Sequence, residues 1–283
     1  MRSNPTASKR QLGAALRRLR TVAGLTAADV ARRLEWSAPK VSSIETARVR
    51  THPNDVRLLM DVYEVTDEAE RDLLLQLCRG SRKAGWWQQY GGKALQQCAT
   101  QFIGLEDAAT EIQYFGLDLI YGPTQTSDYA RAVIAAGARD YDGDDVERAV
   151  QLRGERRSHL LSEDGPQVWM VLDEAVLRRT IGGQDVMREQ LEFLVEVSHR
   201  RNITMQVLPA SVGAHPMLGS AFQIISFAEG DSIVYIEDLT SAQYMERGED
   251  LRRYSAGFNM LRAMALSPEA SQNMVETIAE ELK

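Results

Sequence analysis

The chain has 283 residues, 44% hydrophobic and 26% charged, with a net charge of −7. That length exceeds one small core and implies two domains, while no run approaches the roughly 18 apolar residues of a membrane span and residues 1–9 lack the apolar centre of a signal peptide. A cytoplasmic protein without membrane association is therefore expected, and Cys78 and Cys98 are expected to be free thiols that form no metal site. The charge is unevenly divided. Residues 1–83 hold 16 Lys and Arg against 10 Asp and Glu, and the remainder holds 17 against 30. A basic head on an acidic body is what docking on phosphates through one end requires.

Residues 1–10 carry Ser, Asn, Pro and Lys without periodicity and read as a flexible arm. From Leu25 to Ile44 the pattern is helix, tight turn, helix. Thr26 is expected to cap the first helix, with Asp29 three residues on completing a capping box, and Ala31 leaves room for a close crossing. Glu35 and Trp36 make the turn, Ser37 caps the second helix, and Pro39 lies in its first turn, where a missing N–H costs little. Val41 and Ile44 bury one face of this second helix. The other face carries Ser37, Pro39, Lys40, Ser42, Ser43 and Thr46, short or basic residues suited to a groove.

In this register residues Gln11 to Val65 resemble the helix-turn-helix domain of Xre-type, phage-repressor-like regulators. The match includes the Leu12, Leu16, Leu19 stripe, the Gly24-Leu25-Thr26 opening, Val41-Ser42-Ser43-Ile44-Glu45, and apolar spacing at Val56, Leu59, Met60 and Tyr63. The resemblance implies that the second helix enters the DNA major groove, that Arg20 pairs with Glu45, and that Arg48 and Arg50 lie beside the DNA backbone. The implied DNA-binding set is Thr26, Ser37, Pro39, Lys40, Ser42, Ser43, Thr46, Arg48 and Arg50. Three positions depart from the family pattern: Ala27 stands for a phosphate-touching glutamine, Glu35 for the turn glycine and Ala47 for the helix-ending glycine. Positive φ at Glu35 and Ala47 would cost on the order of 1 kcal/mol each.

An acidic-then-apolar helix over residues 66–78 closes the helix-turn-helix domain, set at 11–79. A linker over 80–101 follows, with Gly80, Gly85, the pair Trp86-Trp87 and Gly91-Gly92. The tryptophans suit either a stacking surface or a hydrophobic plug. Beyond it, 102–283 reads as an α+β or mixed α/β domain with a small sheet of about four strands. Helices are expected at 102–115, 127–134, 144–161, around Leu177, and at 184–200, 241–265 and 268–282. Strands are expected at 167–172, 203–208, 221–227 and 232–236, the last two joined by a Glu229-Gly230-Asp231 turn.

Eight separated blocks make residues 105–271 resemble the C-terminal domain of actinobacterial antitoxin-like regulators, often paired with a small neighbouring protein. They run from Gln125-Thr126-Ser127-Asp128-Tyr129-Ala130 and Arg153-Gly154-Glu155-Arg156 to Leu261-Arg262-Ala263 with Leu266-Ser267-Pro268. Candidate effector or partner residues are Gln125, Tyr129, Arg153, Arg156, Glu174, His215 and Glu237. Arg153 and Arg156, three apart on a helix, suit either a carboxylate or an ion pair with Glu174 or Glu237, and His215 suits either a structural hydrogen bond or a ligand. Asp173, Glu174, Glu237 and Asp238 end strands, but no lysine, histidine pair, phosphate loop or serine elbow accompanies them. Neither catalysis nor a cofactor is expected. The expected function is a DNA-binding transcriptional regulator acting as a homodimer on an inverted repeat, with the second domain answering to a small protein or small molecule. The alternative is an antitoxin-like module that sequesters a small partner and autoregulates its operon.

Overall fold

The computed structural model describes residues 4–91, 97–137, 141–228, 230–238 and 241–282. The tip of the expected arm (residues 1–3), Gly92 of the expected glycine pair and Glu229 of the expected turn lie outside the described residues, as does the side chain of Cys98. Two compact units are present: residues 1–89 with 101–108 and 228–230, and residues 90–100 with 109–227 and 231–283.

The first unit is helical. α1 (Pro5–Val22), α2 (Ala27–Arg33), α3 (Ala38–Glu45), α4 (Pro53–Val62) and α5 (Glu68–Gly80) enclose Leu12, Leu16, Val30, Ala31, Val41, Ile44, Val56, Leu59, Met60 and Leu74. Cys78 is buried here, its thiol donating to the Thr51 carbonyl at 3.3 Å. The helix starts follow local chemistry. Thr26 and Asp29 form the capping box of α2, Ser37 caps α3, and Pro occupies the first turn of α1, α3 and α4.

The expected arm over residues 1–10 is corrected from Asn4 onward. Pro5 opens α1, and the Asn4 side chain accepts from Ala7 N at 2.9 Å while donating to Gly104 O at 3.1 Å and Asp107 Oδ2 at 2.7 Å. The linker boundary shifts as well. Residues 86–89 of the 3₁₀ turn at Trp86–Tyr90, and residues 101–108, which include the end of α6 (Gln97–Glu106), belong with this unit. Trp87 is buried, edge-on to Trp86, and Trp86 Nε1 donates to Asp107 at 3.0 Å. The pair is packing, not an open stacking surface.

Helices α1 to α4 end alike. The residue after each cap has left-handed φ: Gly24 at 69°, Glu35 at 54°, Ala47 at 56° and Glu64 at 57°. The N–H one residue further reaches five residues back: Leu25 to Arg20 O, Trp36 to Ala31 O, Arg48 to Ser43 O and Val65 to Met60 O, at 2.8–3.1 Å. This is the Schellman stop, which favours glycine at the left-handed position. One of the four has it.

A buried ion pair ties the ends of these helices together. Arg20 Nε and Nη2 grip Glu45 Oε1 and Oε2 at 2.7 and 3.0 Å, and Arg20 Nη1 donates to Leu25 O at 2.7 Å. Tyr63 of the α4 cap donates its hydroxyl to Glu45 Oε1 at 3.3 Å. The Glu45 side chain is 4% exposed and that of Arg20 16%. The Glu45 bond holds the Arg20 guanidinium more firmly protonated than usual, and burial, followed by the Glu45 charge, pushes the Tyr63 phenol up. Arg20 therefore keeps its charge, and Tyr63 the proton it donates, across the physiological range. Gly13 brings α1 directly onto α3, because a Cβ there would lie 2.5 Å from Glu45 O.

The second unit is built on a six-stranded mixed sheet, where about four strands were expected, in the order β3-β2-β1-β4-β5-β6. β1 (Glu111–Gly116), β2 (Gln167–Asp173) and β3 (Ile203–Leu208) are parallel, whereas β4 (Phe222–Ser226), β5 (Ile233–Glu237) and β6 (Ala242–Met245) join antiparallel to their neighbours. Helices cover both faces. Ile112, Tyr114, Met170, Leu172, Met205 and Val207 meet α7 (Ser127–Gly137), α8 (Gly143–Leu160), α10 (Gln184–Ser198) and α12 (Pro268–Glu281). Phe115, Val171, Leu208, Phe222, Ile224 and Val234 meet Phe258 and Leu261 of α11 (Gly248–Met264). α9 (Glu174–Arg178) follows β2.

The two unexpected strands lie inside expected helices. The apolar spacing over 102–115 spans a break: α6 stops at Glu106, and Thr110 starts the ladder by donating to Ser226 O at 2.9 Å and accepting from Gln167 N at 2.9 Å. β1 is then the central strand, with alternate residues facing opposite cores, which helical spacing cannot satisfy. β6 lacks β-branched residues and is held by pairing with β5, including the Tyr235–Tyr244 ring contact at 5.1 Å.

The shared helix stops predict that Glu35→Gly, Ala47→Gly and Glu64→Gly each raise stability of the first unit by about 0.5–1 kcal/mol in denaturant titrations of the full chain; no gain at any of the three would contradict the strain. Glu45→Ala should cost about 3 kcal/mol by stranding a mostly buried guanidinium, whereas Glu70→Ala, which breaks the exposed 3.0 Å pair with Arg18, should cost under about 1 kcal/mol. Equal costs would refute the assigned importance of the buried pair.

Candidate nucleic-acid interface

α2, the turn at Glu35 and Trp36, and α3 form the candidate surface. Val41, Ile44 and Glu45 are buried on the inner side of α3, whereas Ser37, Pro39 and Ser42 are exposed and Lys40, Ser43 and Thr46 half-exposed. Several candidates already have local partners. Thr26 Oγ1 accepts from Asp29 N at 3.1 Å, and Asp29 Oδ2 accepts from the Thr26 hydroxyl at 2.5 Å and from Thr26 N at 3.0 Å; the two bonds to the carboxylate, the hydroxyl's first, hold it below its usual range. Ser37 Oγ accepts from Lys40 N at 3.4 Å, and the Thr46 hydroxyl donates to Ser42 O at 2.7 Å. Pro39 and Ser42 are thus presented outward from the front of the helix. Arg48 and Arg50 are exposed in the loop between α3 and α4. What the surface offers is a short helix of small hydroxyls with cations at its edge, free of bulky side chains that would block entry to a groove.

Lys40 differs from the expectation of a simple phosphate ligand. Its Nζ lies 3.3 Å from Asp55 Oδ1 and 3.5 Å from the centre of the Trp36 ring. Neither Asp55 nor Trp36 was among the candidates. Asp55 sits in the first turn of α4, fifteen residues from Lys40, a separation at which helical spacing is silent.

In the second unit some of the effector candidates come together and others do not. Gln125 is buried: Nε2 donates to Ile120 O at 2.6 Å, Oε1 accepts from Arg153, and its carbonyl accepts from Arg157 at 3.2 Å. Tyr129 is buried beside this segment, and burial pushes its phenol up to about 12 against the lowering effects of the Ile120 backbone, Arg153 and Arg179. Arg156 lies against Gly122, within 3.4 Å of where a Cβ would stand. Gln190, not expected, pins the same stretch by accepting from Thr126 N at 2.6 Å and donating to Thr124 O at 2.9 Å.

Glu174 does not join this group. The ion pair considered between Glu174 and the α8 arginines is corrected: its carboxylate accepts from Ala210 N at 2.9 Å and Arg178 Nε at 2.6 Å, bonds that hold it below the usual carboxylate range. His215 is buried on the other face of the sheet, edge-on to Phe115 at 5.6 Å. Glu237 is exposed at the end of β5. Among the described residues no cluster of three or more His, Cys, Asp or Glu could hold a metal ion, and no helix is long and apolar enough to cross a membrane.

Residues 11–74 match the family described as a helix-turn-helix domain, over the helices that build this surface. No curated protein and no solved structure matches the chain. Residues 99–277 match a second family and span more than half of the sequence; the chain therefore belongs to the family described as a domain of unknown function, DUF5753.

Proposed function

We propose that the protein is a sequence-specific DNA-binding transcriptional regulator that inserts α3 into the major groove. The observation that carries this is the outward face of α3, small and polar, aimed by a buried ion pair on its inner side and flanked by Arg48 and Arg50. The helix-turn-helix match and the concentration of positive charge in the head support it. Ser43, Thr46 and Pro39 would meet base edges, and Lys40, Arg48 and Arg50 would neutralise phosphates. A homodimer on an inverted repeat would place two α3 helices about 34 Å apart, and roughly six to eight phosphate contacts would make its affinity fall steeply with salt.

The second unit, in this proposal, mediates pairing and answers to a small protein or small molecule through the segment held by Gln125, Arg153 and Gln190. An effector acts there only through different affinities for the two states of the dimer. We assign no catalysis to it, since the Glu174 carboxylate is committed to Arg178 and the Ala210 N–H.

Selection of genomic fragments by the purified chain at two salt concentrations tests the proposal. An enriched inverted repeat, lost at the higher salt, is expected; no enrichment over bulk DNA would reject sequence-specific binding and favour a protein-sequestering role. On a selected fragment, Ser43→Arg should abolish preference over random duplex, and Arg50→Ala should weaken both about equally, by about threefold between low and moderate salt. Equal loss of preference from both changes would contradict the roles given to them.

A further inference from the structure

The side chain of Lys40 is occupied before any nucleic acid arrives. Its ammonium is 3.3 Å from Asp55 Oδ1 and 3.5 Å from the centre of the Trp36 ring, so an anion and a π-face hold it from two sides. Asp55 is itself well anchored, being in the first turn of α4, where the unpaired N–H groups of the helix favour a carboxylate. The two side chains are 39% and 26% exposed, so the pair sits at the surface where a phosphate would approach. For Lys40 to contact that phosphate, the phosphate must displace the carboxylate or share the ammonium with it, and the two anions repel at that distance.

We propose that Asp55 sets the affinity of the head for DNA by holding Lys40 in an internal ion pair that a phosphate must displace. This rests on the DNA-binding role proposed above. Asp55 is then a positioning residue: it touches no base, yet it lowers the sequence-independent part of binding. A protein that must find one site among many gains discrimination when that part is small.

The test uses the full chain and a random-sequence duplex, on which phosphate contacts dominate, across a salt series. Asp55→Asn should bind at least about threefold more tightly at low salt and steepen the logarithmic salt dependence by about one per head. The gain should vanish in the Lys40→Ala background. An equal gain with Lys40 removed would show that Asp55 acts as bulk negative charge and would overturn the proposal, as would unchanged or weaker binding by Asp55→Asn. Asp55→Ser, which keeps an oxygen in the first turn of α4, replaces Asp55→Asn if the latter unfolds the head. Absence of binding by the unsubstituted chain at every salt concentration would overturn the DNA-binding role and this inference together, whereas a bound chain insensitive to Asp55 overturns the inference alone.

Discussion

The head depends on one buried carboxylate. Glu45 ends α3, and moving its charge out of water would cost several kcal/mol if nothing met it. Arg20 meets both oxygens from α1, Tyr63 reaches one of them from the end of α4, and Arg20 also takes the Leu25 carbonyl that opens the helix-turn-helix. Three helices are thereby fixed to one charge. A purely apolar contact would hold α3 against the core but would leave its rotation and slide weakly determined, since dispersion is not directional. The two-pronged guanidinium bond is directional, and with Gly13 letting the α1 backbone rest on Glu45 it determines which residues of α3 face outward.

That rigidity coexists with local strain. Three of the four helix stops around the core put a side chain where glycine would be relaxed. The turn between α2 and α3 and the loop carrying Arg48 and Arg50 both begin at such positions, Glu35 and Ala47. Local backbone bonds hold them there: Trp36 N bonds to Ala31 O at 2.8 Å and Arg48 N to Ser43 O at 2.9 Å, closing each stop in spite of the unfavourable residue. Stability lost in the turns is offset by the core and the ion pair, which is how a domain keeps a loop geometry without its preferred residue.

Much of the head was legible in the sequence because its information is local. Thr26, Asp29, Ser37 and Pro39 signal helix starts within four residues, and Val41 with Ile44 orients α3. The strain at Glu35 and Ala47 was implied by the resemblance, which puts glycine at both positions, yet the same stop at Glu64 carries no comparable signal, since nothing marks it apart from where α4 ends. Gly13 and Asp55 were illegible for a different reason: each acts through a partner on another helix, Glu45 and Lys40. In the second unit the four strands rich in Val and Ile were recognisable. β1 was not, because Ile103, Ala108, Ile112 and Phe115 mimic a helical stripe across the turn that separates α6 from β1, and β6, Ala-Gln-Tyr-Met, owes its form to β5. Of the effector candidates, Gln125, Tyr129 and Arg153 converge on one segment, 120–126, to which Gln125 belongs and bonds at Ile120 O, while Arg153 bonds Gln125; Glu174 accepts from Ala210 N, and His215 packs on Phe115 in the opposite core.

The central claim is that the outward face of α3, with the loop that follows it, is where the protein meets DNA. Hydrogen–deuterium exchange of the full chain, free and bound to a selected duplex, tests this most directly. Protection concentrated in residues 37–50 and at the first turn of α4 is the predicted result. Protection confined to the sheet unit, with α3 exchanging as in the free protein, would contradict it.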